Sequence, residues 1–513
     1  MRYFLPDWED RVHKEYNFKN EIPIYKNTKE KKYSYIWDIY SAKNVPIDGL
    51  LISRANLLTV NGNPNNRGCS FLDIGIREYY NFPSEMPLMC DCGAFSYIME
   101  KVPPYDPIET LDFYAKCNFN FGVSVDHLIV PATYEQKHER YKITLENAKI
   151  MFNEWNSNKN YKNKLQLIGV VQGWDVNSYC KMTKELVEIG YDYIAIGGVA
   201  RTSNKNIKPI ISGVRLTINK ILQDQKKQID IHVFGVGRES LFRTYLENNI
   251  TSFDSASFLR SAWLSDKRGY HLNFDYYTPI RIKTKRNIDR EREVLTELQK
   301  FTKYKTSKVN TVMKLMMDNN DITEVIERED DYKKTLGDKC WEKCDCDICK
   351  KLGIDVAIFR GNNRNRRRGF HNIWNYYNLK FNKFLPKISI VYSVSKLNDS
   401  YAINSLPLEI YEQIYDLPIE VFIEYNSKVF HIKETIDTER ESNLISQLQR
   451  SKWVFSNKEI KNNSKFIHFS DSDNLREMIL VKIKEIYENL LKPENLALLE
   501  KESNIQTRLE KYY

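Results

Sequence analysis

Between residues 48 and 257, short apolar runs alternate with segments of helical period. The strand-like runs are Gly49–Ser53, Pro87–Cys92, Phe121–Val125, Leu165–Gln172, Tyr193–Val199, Ile231–Val236 and Thr251–Ala256. They are nearly continuous in apolar character, the pattern of parallel strands covered on both faces. Helical segments fill the gaps. Asp106 before Pro107 reads as an N-cap with proline at the first helical position. Residues 135–155 place Ile143, Leu145, Ala148, Met151, Phe152 and Trp155 on one helical face, and 177–189 and 239–248 read similarly. An eighth strand fits either at Tyr33–Trp37 or after residue 257. The alternation predicts an α/β fold, a (β/α)8 barrel rather than an open doubly wound sheet, and no GxGxxG opens a helix after the first strand.

Polar residues gather where these runs end: Asp91, Asp126, Gln172, Gly197-Gly198, Gly235-Val236-Gly237 and Asp254. In a barrel, strand C-termini converge on one mouth, where active sites are built. The glycine pairs suggest close backbone approach to a ligand. A lone Asp at a strand end is more often a helix cap than a catalyst. Three of them on one face, with a Gln and two glycine pairs, point to a site. Two carboxylates across an anomeric carbon can run a double displacement, one attacking and the other handling the leaving group's proton.

After residue 257 the pattern weakens. Residues 309–340 are charged and helical. Cys344, Cys346 and Cys349 then form a CxCxxC, with His371 further on, a donor set for a closed, structural zinc site. Cys340 competes as a fourth ligand. Nine cysteines, four of them within ten residues, fit a cytosolic chain with one metal cluster better than a disulfide framework. From 388 onward, IVYSV and IEVFIEY look like strands and Leu475–Leu491 like an amphipathic helix, a separate appended domain. The expected division is therefore 1–47 as a segment packed on the barrel, 48–308 as the barrel, 309–387 as a zinc-binding subdomain and the end of the barrel, and 388–513 as an appended α+β domain.

The chain has 513 residues, 42% of them hydrophobic and 28% charged, the composition of a globular protein. No apolar stretch has the ~18 residues of a membrane span, and the N-terminus lacks the apolar run of a secretory signal. The net charge of +9 is unevenly spread: 267–308 and 341–387 each carry +7, whereas 388–513 carries −4. The basic segments suggest an anionic partner, and the acidic tail a partner protein. Arg360, Arg364, Arg366, Arg367 and Arg368 cluster beside His371 and among aromatic residues, which favours phosphate contact over a solvated loop. Arg281, Lys283, Lys285 and Arg286 are balanced between the two readings. Both basic segments are expected to border the barrel mouth.

These motifs resemble the tRNA-guanine transglycosylase superfamily over roughly residues 48–380. Asp91-Cys-Gly-Ala-Phe95 stands for the family's Asp-Ser-Gly-Gly-Phe/Tyr, Val171-Gln-Gly173 for Val-Gln-Gly, and Ala195-Ile-Gly-Gly-Val199 for Ile-Gly-Gly-Leu. Phe234-Gly-Val-Gly237 stands for Met-Gly-Val-Gly, and Phe253-Asp254 for the nucleophile motif. Phe4-Leu-Pro-Asp-Trp-Glu-Asp-Arg11 and the run from Phe359 to His371-Asn372 are similar to the DNA-guanine transglycosylases of bacterial genomic islands and phages. The His-Asn pair of that run is the reason to prefer His371 over Cys340.

The resemblance implies a TIM barrel with a zinc subdomain, in the cytoplasm of a bacterial or phage-infected cell. It implies exchange of guanine in DNA for a 7-deazaguanine, 7-cyano-7-deazaguanine being the expected base. Asp254 would be the nucleophile that forms a covalent glycosyl-aspartate, and Asp91 the general acid and then base. Asp126, Gln172 and the Gly197-Gly198 backbone would bind the base's edges, and Phe95 and Phe234 would sandwich it. Zn2+ would be held by Cys344, Cys346, Cys349 and His371. DNA would meet Arg260 and the arginine cluster. Cys92 and Ala94 replace the family's Ser and second Gly, and Ser255-Ala-Ser-Phe-Leu-Arg260 replaces the Cys-Val-x-Pro-Thr-Arg of the tRNA enzymes. A tRNA-guanine transglycosylase, a plain guanine glycosylase and a non-catalytic nucleic-acid-binding paralogue are the rival readings.

Overall fold

The structure is a computed structural model. It describes residues 1–381 except 8–9, 25–32, 42–43, 59–69, 130–132, 223–228, 274, 283–287, 302–308 and 320–321, and beyond 381 only six strands. The chain divides into two units, Met1–Lys380 and Phe381–Tyr513.

In the first unit eight parallel strands close into a barrel: β1 (Arg2–Asp7), β2 (Gly49–Ser53), β3 (Leu88–Asp91), β4 (Phe121–Val123), β5 (Gln166–Val171), β6 (Tyr193–Ile196), β7 (Asp230–Val233) and β8 (Ser252–Asp254). Six of them fall inside the apolar runs, and β7 starts one residue ahead of its run, at Asp230. The eighth is neither Tyr33–Trp37 nor a segment after 257. It is β1, which pairs with β8 through Phe4↔Asp254 and with β2 through Phe4↔Gly49 and so closes the ring. Tyr33–Ser34 instead pairs antiparallel with Val12–His13. The 1–47 segment is thus not merely packed on the barrel; it supplies the first strand. Six residues interrupted by Pro6, which has no N–H for a ladder, hide that strand from a pattern search.

The barrel interior is packed with Phe4, Leu51, Met89, Phe121, Val123, Ile168, Val170, Tyr193 and Ala195, with Phe234 against them. Alternation along each strand sends these side chains inward and their neighbours toward the helices. The helices around the barrel include α1 (Pro107–Lys116), α2 (Tyr134–Ser157), α3 (Val176–Ile189), α4 (Asn204–Leu222) and α5 (Phe242–Glu247). The Asp106 cap is formed: its Oδ1 accepts from the N–H groups of Ile108 and Glu109 at 2.8 and 3.0 Å. Helix α4 is the one the sequence reading did not name, and Pro209 lies within it. Helix α6 (Ser257–Leu264) follows the last strand. The cysteine motif opens α7 (Asp347–Leu352), and the arginine run lies on α8 (Gly361–Asn375), which packs on α6.

In the second unit the described strands form one mixed sheet in the order Glu434–Asp437, Lys428–His431, Ile419–Tyr425, Ile388–Ser393, Trp453–Ser456, Phe466–His468. The two runs expected as strands are strands. Residues 475–491, expected as a helix, lie outside the described residues, as do Lys283, Lys285 and Arg286.

Candidate active site and metal centre

The strand ends converge on a cleft of about 560 Å³, lined by Asp91, Asp126, Gln172, Gly197, Gly198, Phe95, Phe234, Asp254 and Arg260 among others. All eight residues expected to do chemistry or bind a base are therefore brought together. The cause is topological, because each ends a strand or begins the loop after one, and a closed parallel barrel points all such ends the same way.

Asp254 is buried at the end of β8, and its Oδ1 accepts two hydrogen bonds, from the Gly235 N–H at 2.8 Å and from His232 Nε2 at 3.1 Å. These donors offset the desolvation of the carboxylate. Asp91 lies across the same cleft on β3. Burial raises its pKa to about 7. Hydrogen bonds from Ser53 and the Gly93 amide oppose that shift, and the charges of Asp254 and Asp126 add to it. Its Oδ1 is buried with no hydrogen-bond partner. One carboxylate held by two donors and one that keeps its proton near neutrality is the division of labour of a nucleophile and a general acid.

Asp126 sits beside them. Burial raises its pKa, and hydrogen bonds from Cys92 and Gln172 oppose the rise. Cys92 Sγ donates to its Oδ1 at 3.1 Å and Gln172 Nε2 to its Oδ2 at 2.6 Å. The departure at Cys92 is thereby explained: the thiol turns inward to hold Asp126. Gln172 Oε1 is buried without a partner. A buried orphan acceptor of this kind calls for a ligand donor. The glycine pair has a second reason besides ligand approach. A Cβ at Gly197 would meet Gln172 Nε2 at 2.6 Å, and one at Gly198, where φ is +74°, would meet Oε1 at 2.7 Å. These glycines leave room for the amide of Gln172.

Phe234 is half-buried on one wall, and Phe95 is 60% exposed at the mouth. The sequence reading passed over His232, Ser53, Tyr97 and Asp7, which also hold or line this site. His232 could have been found, since it lies two residues before Phe234 and so faces the same way, a lone imidazole in an apolar strand.

The arginine cluster is a correction. Arg364 and Arg368 have no exposed surface and Arg367 has 8%. Arg364 is ion-paired with Asp355 at 2.8 Å and with Glu21. Arg368 donates to the carbonyls of Ala262 at 2.7 Å, Ile358 at 2.9 Å and Val356 at 3.1 Å. Arg367 donates to His13 O at 2.6 Å. Burial removes these three guanidinium groups from phosphate contact; they tie α8 to α6, to residues 355–358 and to the N-terminal segment around His13 and Glu21. Arg360 faces Glu21 at 3.7 Å and Arg366 pairs with Asp10 at 3.3 Å, both keeping part of their surface. In the other basic segment Arg281 pairs with Asp266 and lies 4.4 Å over the Phe359 ring. Among the described residues neither basic segment lines the cleft. The arginines that do are Arg260 and Arg201, the latter exposed at the mouth.

Cys344, Cys346, Cys349 and His371 are all buried, with one ligand atom from each lying within 4.8 Å of the others. The three sulfurs lie 3.5, 3.4 and 3.3 Å from His371 Nδ1. Tetrahedral zinc with ordinary Zn–S and Zn–N bonds sets an edge of about 3.5 Å, so the donor set fits. His371 Nε2 donates to the His271 carbonyl at 2.7 Å, which fixes Nδ1 as the ligand nitrogen. Cys340 is buried but stands outside the cluster. The group could hold a metal ion.

The chain is 30% identical over 419 residues to a DNA-guanine transglycosylase from Salmonella montevideo, a match that spans 74% of this chain and 96% of the relative. The chain belongs to the DNA-guanine transglycosylase family. No family model matches it. The closed parallel barrel and the buried Cys3His group of this transglycosylase agree with the fold expected from its motifs. Among the described residues no helix is long and apolar enough to cross a membrane.

Proposed function

We propose that this transglycosylase exchanges guanine in DNA for a 7-deazaguanine base, 7-cyano-7-deazaguanine, by double displacement. Asp254 attacks C1′ of the nucleotide. The C1′–O bond forms, the C1′–N9 bond breaks, and its electron pair leaves on guanine, which takes the proton of Asp91. The incoming base then gives a proton to the Asp91 carboxylate, and its nitrogen displaces Asp254 from C1′. Two inversions give retention. The base would lie against Phe234 with Phe95 closing over it, its amidine-like edge on Asp126 and the unpartnered Oε1 of Gln172, and its carbonyl side on the Gly197-Gly198 wall. Stacking offsets part of the cost of flipping a base from the duplex, about a few kcal/mol.

The observation that carries this reading is the pairing of Asp254, held by two donors, with Asp91, protonated up to about pH 7, in one cleft. Phosphate contact would come from Arg260 and Arg201 at the mouth, with Arg366 tied to the same edge through Asp10, which also feels Arg260. The Cys3His group would hold zinc as a structural brace, joining α7 to α8 and taking no part in the exchange. Transfer of labelled 7-cyano-7-deazaguanine into DNA by the purified protein tests the reading. Transfer into tRNA alone would make it an RNA enzyme. Release of guanine with no base accepted would make it a glycosylase.

A further inference from the structure

Three polar side chains sit where the barrel is otherwise packed with apolar ones, and together they form a single chain. Tyr193 OH lies 2.6 Å from Ser252 Oγ, Ser252 Oγ lies 2.7 Å from His232 Nδ1, and His232 Nε2 lies 3.1 Å from Asp254 Oδ1. Tyr193, His232 and Ser252 have no exposed surface. The register explains how they meet. His232 on β7 pairs directly with Ser252 on β8, and Ser252 and Asp254 alternate onto the same inward face. The His232 ring is wedged edge-on between Phe4 and Phe234, at centroid distances of 6.0 and 4.6 Å. Buried polar groups are costly to a core that could be filled with aliphatic residues, so a fully paired chain that ends on one carboxylate calls for an explanation.

We infer that His232 is a positioning residue for Asp254 and that Ser252 and Tyr193 set its tautomer. The inference rests on the function proposed above. An ionised carboxylate can only accept, so in the neutral ring Nε2 carries the hydrogen and Nδ1 must accept from Ser252. Ser252 Oγ then accepts from Tyr193. The donors from His232 and the Gly235 amide both converge on Oδ1 of Asp254. Oδ2 is therefore the oxygen aimed at C1′, and the carboxylate is locked in rotation before substrate arrives. Pre-set orientation of a nucleophile matters at this scale, since a misplacement of about 1 Å costs about 10²-fold in rate.

The test measures kcat and KM for base exchange into DNA in wild type, His232→Leu, His232→Gln and Ser252→Ala, with a melting transition for each. The Gln amide offers a donor near the place of Nε2. His232→Leu should lose about 10²-fold in kcat with KM for the base unchanged, because Asp126 and Gln172 are untouched. His232→Gln should recover to within about tenfold of wild type. Ser252→Ala, which leaves the imidazole in place, should fall between. If His232→Leu does not fold, the Gln and Ser252 variants decide. Wild-type kcat in Ser252→Ala, or equal losses in the Leu and Gln variants, would overturn the inference while wild-type exchange leaves the proposed function standing. No exchange by the wild type would overturn both.

Discussion

Burial takes the Asp91 carboxyl well out of its ordinary range. With its folded-state pKa raised to about 7, the folded protein holds this proton more tightly than the unfolded chain does. Its contribution to stability is complete below about pH 4, the ordinary carboxylate value, and is lost as pH rises through 7. Asp91→Asn should therefore melt like wild type near pH 4 and be more stable at pH 8, on the order of 4 kcal/mol, with exchange abolished. A thermal melt at both pH values checks it. Guanine release by the wild type should decline above about pH 7, where the acid is lost. Gly198 gives a second prediction at this scale. A methyl group there would strike the Gln172 amide and strain a backbone at φ +74°. Gly198→Ala should raise KM for the base about tenfold, the worth of about one hydrogen bond, and kcat should change less.

The elements were legible where their pattern is local. Seven barrel strands and the Asp106 cap follow from apolar runs and one dipeptide, because a strand buried on both faces needs little beyond its own sequence. Strand β1 was not legible, since six residues with a proline become a barrel strand only when two neighbours pair with them. Helix α8 shows the same limit in charge. Five arginines in nine residues look like a phosphate-binding run, but the partners that bury three of them are Glu21, Asp355 and the carbonyls of His13, Ala262, Val356 and Ile358, which only the folded chain brings together. The cleft carboxylates were legible because polar residues at the ends of apolar strands stand out; the imidazole behind Asp254 is marked only by its place in an apolar strand, in phase with Phe234. Consequently Arg368→Met should destabilise the protein by about 3 kcal/mol, measured by denaturant unfolding, because three carbonyls lose their donor. Arg260→Ala should weaken DNA binding and reduce its salt slope by about one unit.

For the molecule as a whole, the +9 charge is not a guide to a DNA-binding face. Three of the eleven basic side chains in 341–387, Arg364, Arg367 and Arg368, are internal and paired with acids or backbone carbonyls, and the arginines at the cleft mouth lie outside both basic segments. The Cys3His group joins the CxCxxC turn to α8, which packs on α6 next to the strand that carries Asp254. Metal analysis should find one equivalent of zinc, and stripping it with a strong chelator should abolish the cooperative melting of the barrel unit, since structural zinc contributes about 10 kcal/mol or more. The central claim is base exchange in DNA through Asp254. The direct measurement is to incubate wild type and Asp254→Asn with guanine-containing DNA and labelled 7-cyano-7-deazaguanine, and to follow label in DNA and protein–DNA adduct on a denaturing gel. Label in DNA and a trapped adduct with wild type, and a loss of at least about 10³-fold of both with Asp254→Asn, is the predicted result. No label in DNA with wild type, or exchange that survives in Asp254→Asn, would contradict it.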